Sequence, residues 1–327
     1  MTRPPAKTVF GPIPSRRLGR SLGVDPIPHK TCNWNCVYCQ LGRTTNVATE
    51  RSEFIPAETI LDDLRTTLEA LGPEAIDWIS FVGSGEPTLH SRLGYMIRQA
   101  ATFTTTPVAV ITNGSLLHLP EVRDDLMSAD AVLPSLDAGS DALYRTINRA
   151  PHGVPFERIV DGLRAFAAGY KGRLWVEVML VAGMNDTEDA LNDLATVLRY
   201  IGPDEVHVTL PTRPPAEEWV TPSEQEGLMR ATAILGESAR LVHPSEGSMD
   251  LGGYDDAAEA VLGVIARHPM RQEELARALE GWDRQDLADA LEALASSGRA
   301  AVVNRHGHQF WTASESRYMD TPRRKGG

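Results

Sequence analysis

The three cysteines of this 327-residue chain, Cys32, Cys36 and Cys39, all lie within eight residues. A [4Fe–4S] cluster is normally held by four cysteine thiolates, so a set of three leaves one iron without a protein ligand. Such an iron can bind a substrate or a cosubstrate. The number and spacing of the cysteines therefore predict an iron–sulfur centre with an open coordination position.

Two other uses of the cysteines fit the sequence less well. A structural zinc site needs four ligands, usually in two pairs, and the chain has no second cysteine pair, although His29 could supply a fourth ligand. A disulfide is disfavoured because the cysteines are few and odd in number, and because the segment 1–5 lacks the apolar stretch of a secretory signal. The cysteine usage therefore predicts a reducing cytoplasm.

Polar and glycine-rich segments follow the ends of several predicted strands. Alone, each is also typical of a turn or a helix cap. Together at one edge of a sheet, they would form a site in which glycine lets the backbone approach a ligand closely. These segments are Gly83–Leu89, Thr112–Gly114, Ser135–Asp137 and Val181–Asp186.

Strands and helices alternate along the first three quarters of the chain, which predicts right-handed βαβ units and a parallel sheet with active residues at the carboxyl ends of its strands. Short apolar runs predict the strands, and apolar residues at helical spacing predict the helices. The strands are predicted over 76–82, 108–112, 131–136, 174–181 and 205–210. The helices are predicted over 57–71, from about 121, over 156–168 and over 186–201.

A second, smaller domain is predicted after a small polar linker. The expected boundaries are 1–245 for the large domain, 246–254 for the linker, 255–315 for the small domain and 316–327 for a flexible tail. The small domain contains three predicted helices and a hairpin, an order that resembles a winged helix. The helices are predicted over 257–267, 272–279 and 284–295, and the strands over 300–303 and 309–312.

The charge of the chain argues against a broad contact with nucleic acid. The formal net charge is −12, and residues 254–327 carry 10 Lys and Arg against 12 Asp and Glu, a net charge of −2. A nucleic-acid footprint is built from clustered basic residues, so DNA binding by the small domain is disfavoured, although a local basic patch could form. The longest apolar stretch, 176–184, is too short to span a bilayer, so no membrane anchor is expected.

The cysteine triplet, with Tyr38 just before its last member, resembles the signature of the radical S-adenosylmethionine (SAM) superfamily. The resemblance implies that the amino and carboxylate groups of SAM chelate the open iron of a [4Fe–4S] cluster. A flavodoxin or ferredoxin would supply one electron, and reductive cleavage of SAM would yield methionine and a 5′-deoxyadenosyl radical. The same resemblance suggests roles for the segments at the strand ends.

By that resemblance, Gly83, Gly85 and Glu86 bind the amino group of SAM, with the Glu86 carboxylate on the ammonium. Asn113, Ser135 and Asp137 would contact the ribose or carboxylate of SAM or face the substrate. Gly183 and the backbone of Tyr38 would lie beside the adenine. Turn, cap and core roles are the alternatives for these residues.

Three further segments resemble the branch of that superfamily related to wyosine-base synthases of transfer RNA: Gly11–Gly19, Cys39–Arg43 and Thr212–Trp219. The likeness covers residues 9–245 and implies an α/β fold, a partial (β/α)₆ barrel open on one side. In that branch the tRNA enzyme uses a second cluster and a Schiff-base lysine. No cysteine remains here for a second cluster.

The catalytic candidates are Lys30, Asp137 and Arg213, with Arg16, Arg17 and Arg213 expected at the barrel mouth. The substrate, a tRNA base or a small metabolite, is left open by the sequence. The sequence also leaves open which carbon–sulfur bond of SAM is cleaved, because transfer of the aminocarboxypropyl group is an alternative. A regulator that binds DNA through its winged helix and senses SAM or redox state through its cluster is a third hypothesis.

Overall fold

The computed structural model describes residues 7–15, 17–44, 47–72, 74–151, 153–242, 256–279 and 281–319. An eight-stranded sheet, in which the strand order follows the chain order, forms its centre. Only β1 is antiparallel to its neighbour; β2 to β8 are parallel. The strands are β1 (Val9–Ser15), β2 (Gly19–Val24), β3 (Trp78–Phe81), β4 (Val108–Thr112), β5 (Ala131–Pro134), β6 (Arg173–Met179), β7 (Glu205–Thr209) and β8 (Ala239–Leu241).

Helices connect the parallel strands and bury their apolar stripes against the outer face of the sheet, where the main core lies. They are α1 (Ala57–Leu71), α2 (Leu93–Phe103), α3 (Pro120–Leu126), α4 (Asp141–Ile147), α5 (Phe156–Gly169), α6 (Glu188–Ile201) and α7 (Gln225–Leu235). The five predicted strands correspond to β3–β7, and the four predicted helices to α1, α3, α5 and α6. The sequence pattern missed β1 and β2, whose prolines and glycines are typical of turns.

The sheet is curled, and its inner face is filled at the amino-terminal ends of the strands. Neighbouring strands lie about 4.8 Å apart, so β3 and β6 would be about 14 Å apart in a flat sheet. The rings of Trp78 and Trp175, on these two strands, have centroids 6.0 Å apart. Leu18, in the turn between β1 and β2, packs in the same inner cluster. It fills the interior of the curled sheet, here called the lumen, at the amino-terminal ends of the strands.

This turn changes the expected position of the arginines near it. Arg17 reaches into the lumen and forms an ion pair with Glu177 of β6. It enters from the amino-terminal ends of the parallel strands, because Gly19 begins β2. The Arg17 backbone therefore lies at the amino-terminal ends and not at the expected mouth, while its guanidinium reaches Glu177, which is level with Ser135 after β5. Arg16 lies outside the described residues.

The described residues 256–319 form a C-terminal module with its own apolar core. Its elements are α8 (Ala257–Ile265), α9 (Gln272–Ala278), α10 (Arg284–Ser296), β9 (Ala300–Arg305) and β10 (His308–Ala313), in the predicted order. The predicted linker, 246–254, lies outside the described residues, and the domain boundaries stay predictions. In the part of the chain that is described, no helix is long and apolar enough to cross a membrane.

Candidate active site

The cysteines lie in the long connection from β2 to α1, residues 25–56, here called the cysteine loop. Tight turns shape it around the cysteines: the Cys39 amide donates to the Cys36 carbonyl at 3.1 Å, and the Gly42 amide to the Cys39 carbonyl at 3.1 Å. The Val37 amide donates to the Ile147 carbonyl at 2.9 Å, which ties the loop to the end of α4. All three cysteines are half-buried, and none forms a disulfide.

Each thiol sulfur has a nitrogen donor beside it. The Trp34 amide lies 3.4 Å from the Cys32 sulfur, the Asn148 side-chain amide 3.7 Å from the Cys36 sulfur, and the Lys30 ammonium 3.2 Å from the Cys39 sulfur. Burial raises the pKa of Cys32 to about 12 and that of Cys36 well above its usual range, so both are neutral thiols unless an acceptor such as iron binds them.

The arrangement of the thiols fits a cluster better than a single ion. No group of three His, Cys, Asp or Glu side chains within the described ranges is placed to share one metal ion. A structural zinc ion needs four ligands around one centre. In a [4Fe–4S] cluster each thiolate binds a different iron, so the sulfurs need not converge on one point. Three thiols in one loop, each beside a nitrogen donor, therefore fit this cluster.

The glycine loop, Gly83–Glu86, lies directly against the cysteine loop. The Lys30 amide donates to the Ser84 carbonyl at 2.7 Å, and the Glu86 amide donates to the Thr31 carbonyl at 2.9 Å. A Cβ atom on Gly85 would lie 1.8 Å from the Thr31 carbonyl oxygen, so only glycine fits there. The two predicted cofactor segments thus form one backbone unit.

Glu86 is buried and holds this unit to the end of β4. Its Oε1 accepts hydrogen bonds from the Thr88 amide at 3.0 Å, the Thr88 hydroxyl at 2.6 Å and the Thr112 hydroxyl at 2.5 Å. Among the described residues, its Oε2 accepts one hydrogen bond, from the Asn113 amide at 2.6 Å. Burial raises the pKa of this carboxyl. A SAM ammonium group would have to use the remaining lone pair of Oε2.

Asn113 connects this unit to the first cysteine. Its side-chain nitrogen Nδ2 donates to Oδ1 of the Asn33 side chain at 2.9 Å and lies 3.8 Å from the Cys32 sulfur. Its side-chain oxygen Oδ1 accepts a hydrogen bond from the Ser115 backbone amide at 2.9 Å. Ser135, at the end of the next strand, is half-buried and pairs in register with Glu177 of β6.

Asp137 is a buried junction between the cysteine loop and β6. Its Oδ2 accepts the Tyr38 hydroxyl at 2.5 Å and the Asn148 amide at 2.7 Å, and its Oδ1 accepts the Met179 amide at 2.8 Å. Burial raises the pKa of Asp137. Because Asn148 also lies beside the Cys36 sulfur, Asp137 orients a donor to a cysteine. Sequence analysis did not single out Asn148, since no local motif marks it.

Gly183 begins an exposed turn on the same side of the sheet. Its φ of +69° lies in the left-handed region, and a Cβ atom there would meet nothing within 4 Å. Its amide donates to the Asp186 side chain at 2.8 Å. The turn thus leaves open space beside the backbone, as the expected adenine contact requires.

Two of the three segments that resemble the wyosine-related branch, those that contain Arg43 and Glu217, meet at a buried carboxylate. Glu217 accepts hydrogen bonds from Arg43 at 2.5 Å and 2.9 Å and from Arg149 at 2.6 Å. The Glu217 amide donates to the Val37 carbonyl at 3.1 Å. This cluster fastens the cysteine loop to the segment after β7. The segment Thr212–Trp219 marked Glu217 as part of a motif, but the sequence did not indicate that Arg43 and Arg149 would be its partners.

The C-terminal module contacts the cysteine loop and the segment after β7. Arg267 forms an ion pair with Asp25 at 3.0 Å, and Asp25 accepts the Ser84 amide at 3.1 Å and the Ser84 hydroxyl at 2.7 Å. Arg213, a predicted catalytic residue, donates to the Pro269 carbonyl at 2.8 Å and pairs with Glu274 at 3.1 Å. Arg213 thus binds the module.

The described part of the predicted flexible tail also contacts the cysteine loop. The Arg43 amide donates to the Arg317 carbonyl at 2.6 Å, and the Tyr318 hydroxyl donates to the Gln40 carbonyl at 2.6 Å. The Met319 amide donates to a carbonyl after β7 at 3.0 Å. Residues 317–319 therefore lie along the loop next to Cys39.

Known proteins resemble this chain in sequence and in fold. A family model, that of the radical SAM superfamily, matches residues 27–195. A UPF0026 protein of Methanocaldococcus jannaschii is 33% identical over 308 residues, 92% of this chain and 94% of that protein. A protein of Brachyspira hyodysenteriae named GTPase Obg is 36% identical over 91% of this chain, which spans only 44% of that protein's length.

Among solved structures, a radical SAM methyltransferase from Sphaerobacter thermophilus is similar, with a TM-score of 0.52 and 20% identity. The match covers 68% of this chain and 66% of that chain. At this identity the likeness concerns the fold alone, an α/β barrel with a mostly parallel sheet.

Proposed function

The chain belongs to the radical SAM superfamily, whose enzymes use a [4Fe–4S] cluster and SAM, and we propose that Cys32, Cys36 and Cys39 hold that cluster. When bound and reduced, the cluster supplies the electron that cleaves a carbon–sulfur bond of SAM. The observation that carries the proposal is the set of three unpaired thiols in one loop, each with a nitrogen donor at its sulfur. The substrate modified after SAM cleavage is a tRNA base or a small metabolite.

The residues around the cysteines position SAM in this proposal. The glycine loop offers backbone groups and the remaining lone pair of Glu86 to the ammonium group. Asn113 and Ser135 lie at the carboxyl ends of β4 and β5, where they would contact the ribose or carboxylate. The Gly183 turn and the Tyr38 backbone would border the adenine. Asp137 orients Tyr38 and Asn148, so we assign it positioning rather than proton transfer.

The lysines argue against the Schiff-base chemistry of the wyosine-related branch. Lys30 is buried and donates to the Gly42 carbonyl at 2.7 Å and to Cys39. Lys171 is exposed and lies just before β6, at the amino-terminal ends of the strands. A Schiff-base lysine must reach the substrate at the opposite ends. We therefore propose a reaction that forms no imine with either lysine.

The products of SAM test the proposed cleavage. We expect the reconstituted enzyme, with SAM and dithionite under anaerobic conditions, to form 5′-deoxyadenosine, detected by mass spectrometry. Dithionite stands in for a flavodoxin- or ferredoxin-type donor. Omitting dithionite should leave SAM intact. Methylthioadenosine in place of 5′-deoxyadenosine would instead indicate aminocarboxypropyl transfer, and the absence of both products would favour the regulator.

We further propose that the winged-helix-like module supports the SAM site and does not read DNA. The exposed surface of α10, the helix that would enter a DNA groove, carries Asp286, Asp289 and Glu292 against one arginine, Arg284. Two further arginines of the module are engaged: Arg305 is buried, and Arg299 pairs with Glu259 at 2.7 Å. The acidic surface would repel phosphate groups.

The Arg267–Asp25 pair links the module to the glycine loop, and we propose that it supports SAM binding through Ser84. Both side chains are largely buried, with exposed fractions of 11% and 4%, and Asp25 holds Ser84 of the glycine loop. Removing one partner of a buried ion pair leaves an uncompensated charge. We expect Arg267→Ala to weaken SAM binding about tenfold, or ~1.4 kcal/mol, measured by equilibrium binding to the reconstituted protein.

Two variants control this measurement. Arg299→Ala removes another arginine of the module, but one whose partner Glu259 is exposed, so SAM affinity should stay at the wild-type level. Arg267→Lys keeps the charge and should restore part of the affinity. Equal SAM affinity in Arg267→Ala and the wild type, at equal iron content, would refute the coupling between the module and the glycine loop.

A further inference from the structure

Lys30 has an unusual conformation for its residue type. Its φ is +58°, in the left-handed region that favours glycine, and the residue is only 8% exposed. A non-glycine residue in this region costs about 1 kcal/mol or more, and such strain persists only where the surroundings impose it. The local backbone explains part of this, because the Lys30 amide donates to the Ser84 carbonyl at 2.7 Å. The conformation also directs the Lys30 side chain toward Cys39 and Gly42.

The Lys30 ammonium is directed at the last cysteine. It lies 3.2 Å from the Cys39 sulfur and donates to the Gly42 carbonyl, three residues further along the loop, at 2.7 Å. The carbonyl fixes the ammonium in place, and a second donor hydrogen points to the sulfur. Of the donors beside the three sulfurs, those at Cys32 and Cys36 are neutral amides. Lys30 brings a full positive charge.

We infer that Lys30 is a positioning residue that raises the reduction potential of the cluster by holding a positive charge at the Cys39 thiolate. This inference rests on the proposed binding of the cluster by the three cysteines. Reduction moves one electron from the external donor to the cluster and adds one negative charge there. A fixed cation beside a ligand sulfur stabilises the reduced form more than the oxidised form. Hydrogen bonds to the sulfurs and net charge are known determinants of cluster potentials.

This role also explains why the lysine is held so firmly. A Schiff-base lysine has to be free to attack a carbonyl group, whereas the Lys30 ammonium uses its hydrogens on Gly42 and Cys39. The amide bond from Lys30 to Ser84 places the same residue against the glycine loop. The positive charge of Lys30 therefore lies where the cysteine loop contacts the glycine loop.

The test is a potentiometric titration of the reconstituted enzyme followed by electron paramagnetic resonance. Lys30→Gln keeps a hydrogen-bond donor of similar length but removes the charge, and Lys30→Arg keeps the charge. Neither change relieves or adds backbone strain, since neither residue is glycine or β-branched. We expect Lys30→Gln to make reduction about tenfold less favourable, a midpoint about 59 mV lower for one electron. Lys30→Arg should remain near the wild-type midpoint.

Lys171→Gln is the matched control, because it removes an exposed lysine far from the cysteines and should leave the midpoint unchanged. A fully loaded Lys30→Gln enzyme with the wild-type midpoint would overturn the inference. So would loss of the cluster in both Lys30 variants, since that result would make the residue only a structural support. If the wild type itself binds no cluster, the proposed function fails instead, and the two failures are thereby separated.

Discussion

Replacing Cys36 by alanine should abolish binding of the iron–sulfur cluster. Two thiolates would remain for four irons, where three already leave one iron without a protein ligand. Iron and sulfide content after anaerobic reconstitution should fall from about four of each per chain to near zero, and SAM cleavage should disappear with it. The variant should still fold, because Cys36 is only half-buried and forms no disulfide.

The neighbouring residue supplies the control for this prediction. Val37 is fully buried in the same loop, so Val37→Ala disturbs the packing there without removing a thiol. Truncating a buried valine costs roughly 1–3 kcal/mol, so this variant should be less stable than the wild type but should still bind iron. Thermal unfolding monitored by circular dichroism would separate loss of stability from loss of a ligand. An unchanged cluster content in Cys36→Ala would exclude the three-cysteine site.

The second large effect is expected for Gly85→Ala. The added Cβ atom would lie 1.8 Å from the Thr31 carbonyl oxygen and 2.9 Å from the Ile27 side chain. The carbonyl is backbone and cannot rotate away, so the glycine loop must move off the cysteine loop. That movement breaks the bond from the Glu86 amide to Thr31. We expect a loss of about 1–3 kcal/mol in the free energy of unfolding and more than tenfold weaker SAM binding.

Gly169→Ala is the matched glycine control. Gly169 ends α5, and a Cβ atom there would meet only the flexible Met127 side chain, at 3.5 Å. Alanine should be neutral or slightly stabilising at such a position, because it restricts the unfolded chain. Urea unfolding and SAM binding would be compared in both variants. Wild-type SAM affinity in Gly85→Ala would show that the glycine loop does not form the SAM site.

Much of the fold was accessible from the sequence. Hydrophobic spacing predicted α1 over 57–71 and β4 over 108–112 with the bounds that the structure has. These elements carry apolar residues at one clear period, and that signal is local. β1 and β2 were missed because Pro12, Pro14 and Gly19 are typical of turns, and only pairing with a neighbouring strand makes the segments extended.

The candidate site was accessible as residue positions but not as interactions. The segments containing Cys32, Glu86 and Asp137 were selected by spacing and by strand ends. Their contacts were not predicted: Glu86 and Asp137 each accept several hydrogen bonds from within the protein, and no sequence pattern indicates these bonds. Arg213 follows the carboxyl end of β7, and its pairing with Glu274 of the C-terminal module could not be read from the sequence.

By itself, the sequence determined the cofactor class, because three cysteines at this spacing are a local chemical signal that no folding event can alter. It also determined the alternation of strands and helices, which depends on neighbours a few residues away. The tertiary structure decided which charges meet. Arg267 and Asp25 are 242 residues apart, and Lys30 reaches Cys39 only because its backbone turns through a left-handed conformation against the glycine loop. Such contacts depend on how distant segments pack, and so only the folded chain specifies them.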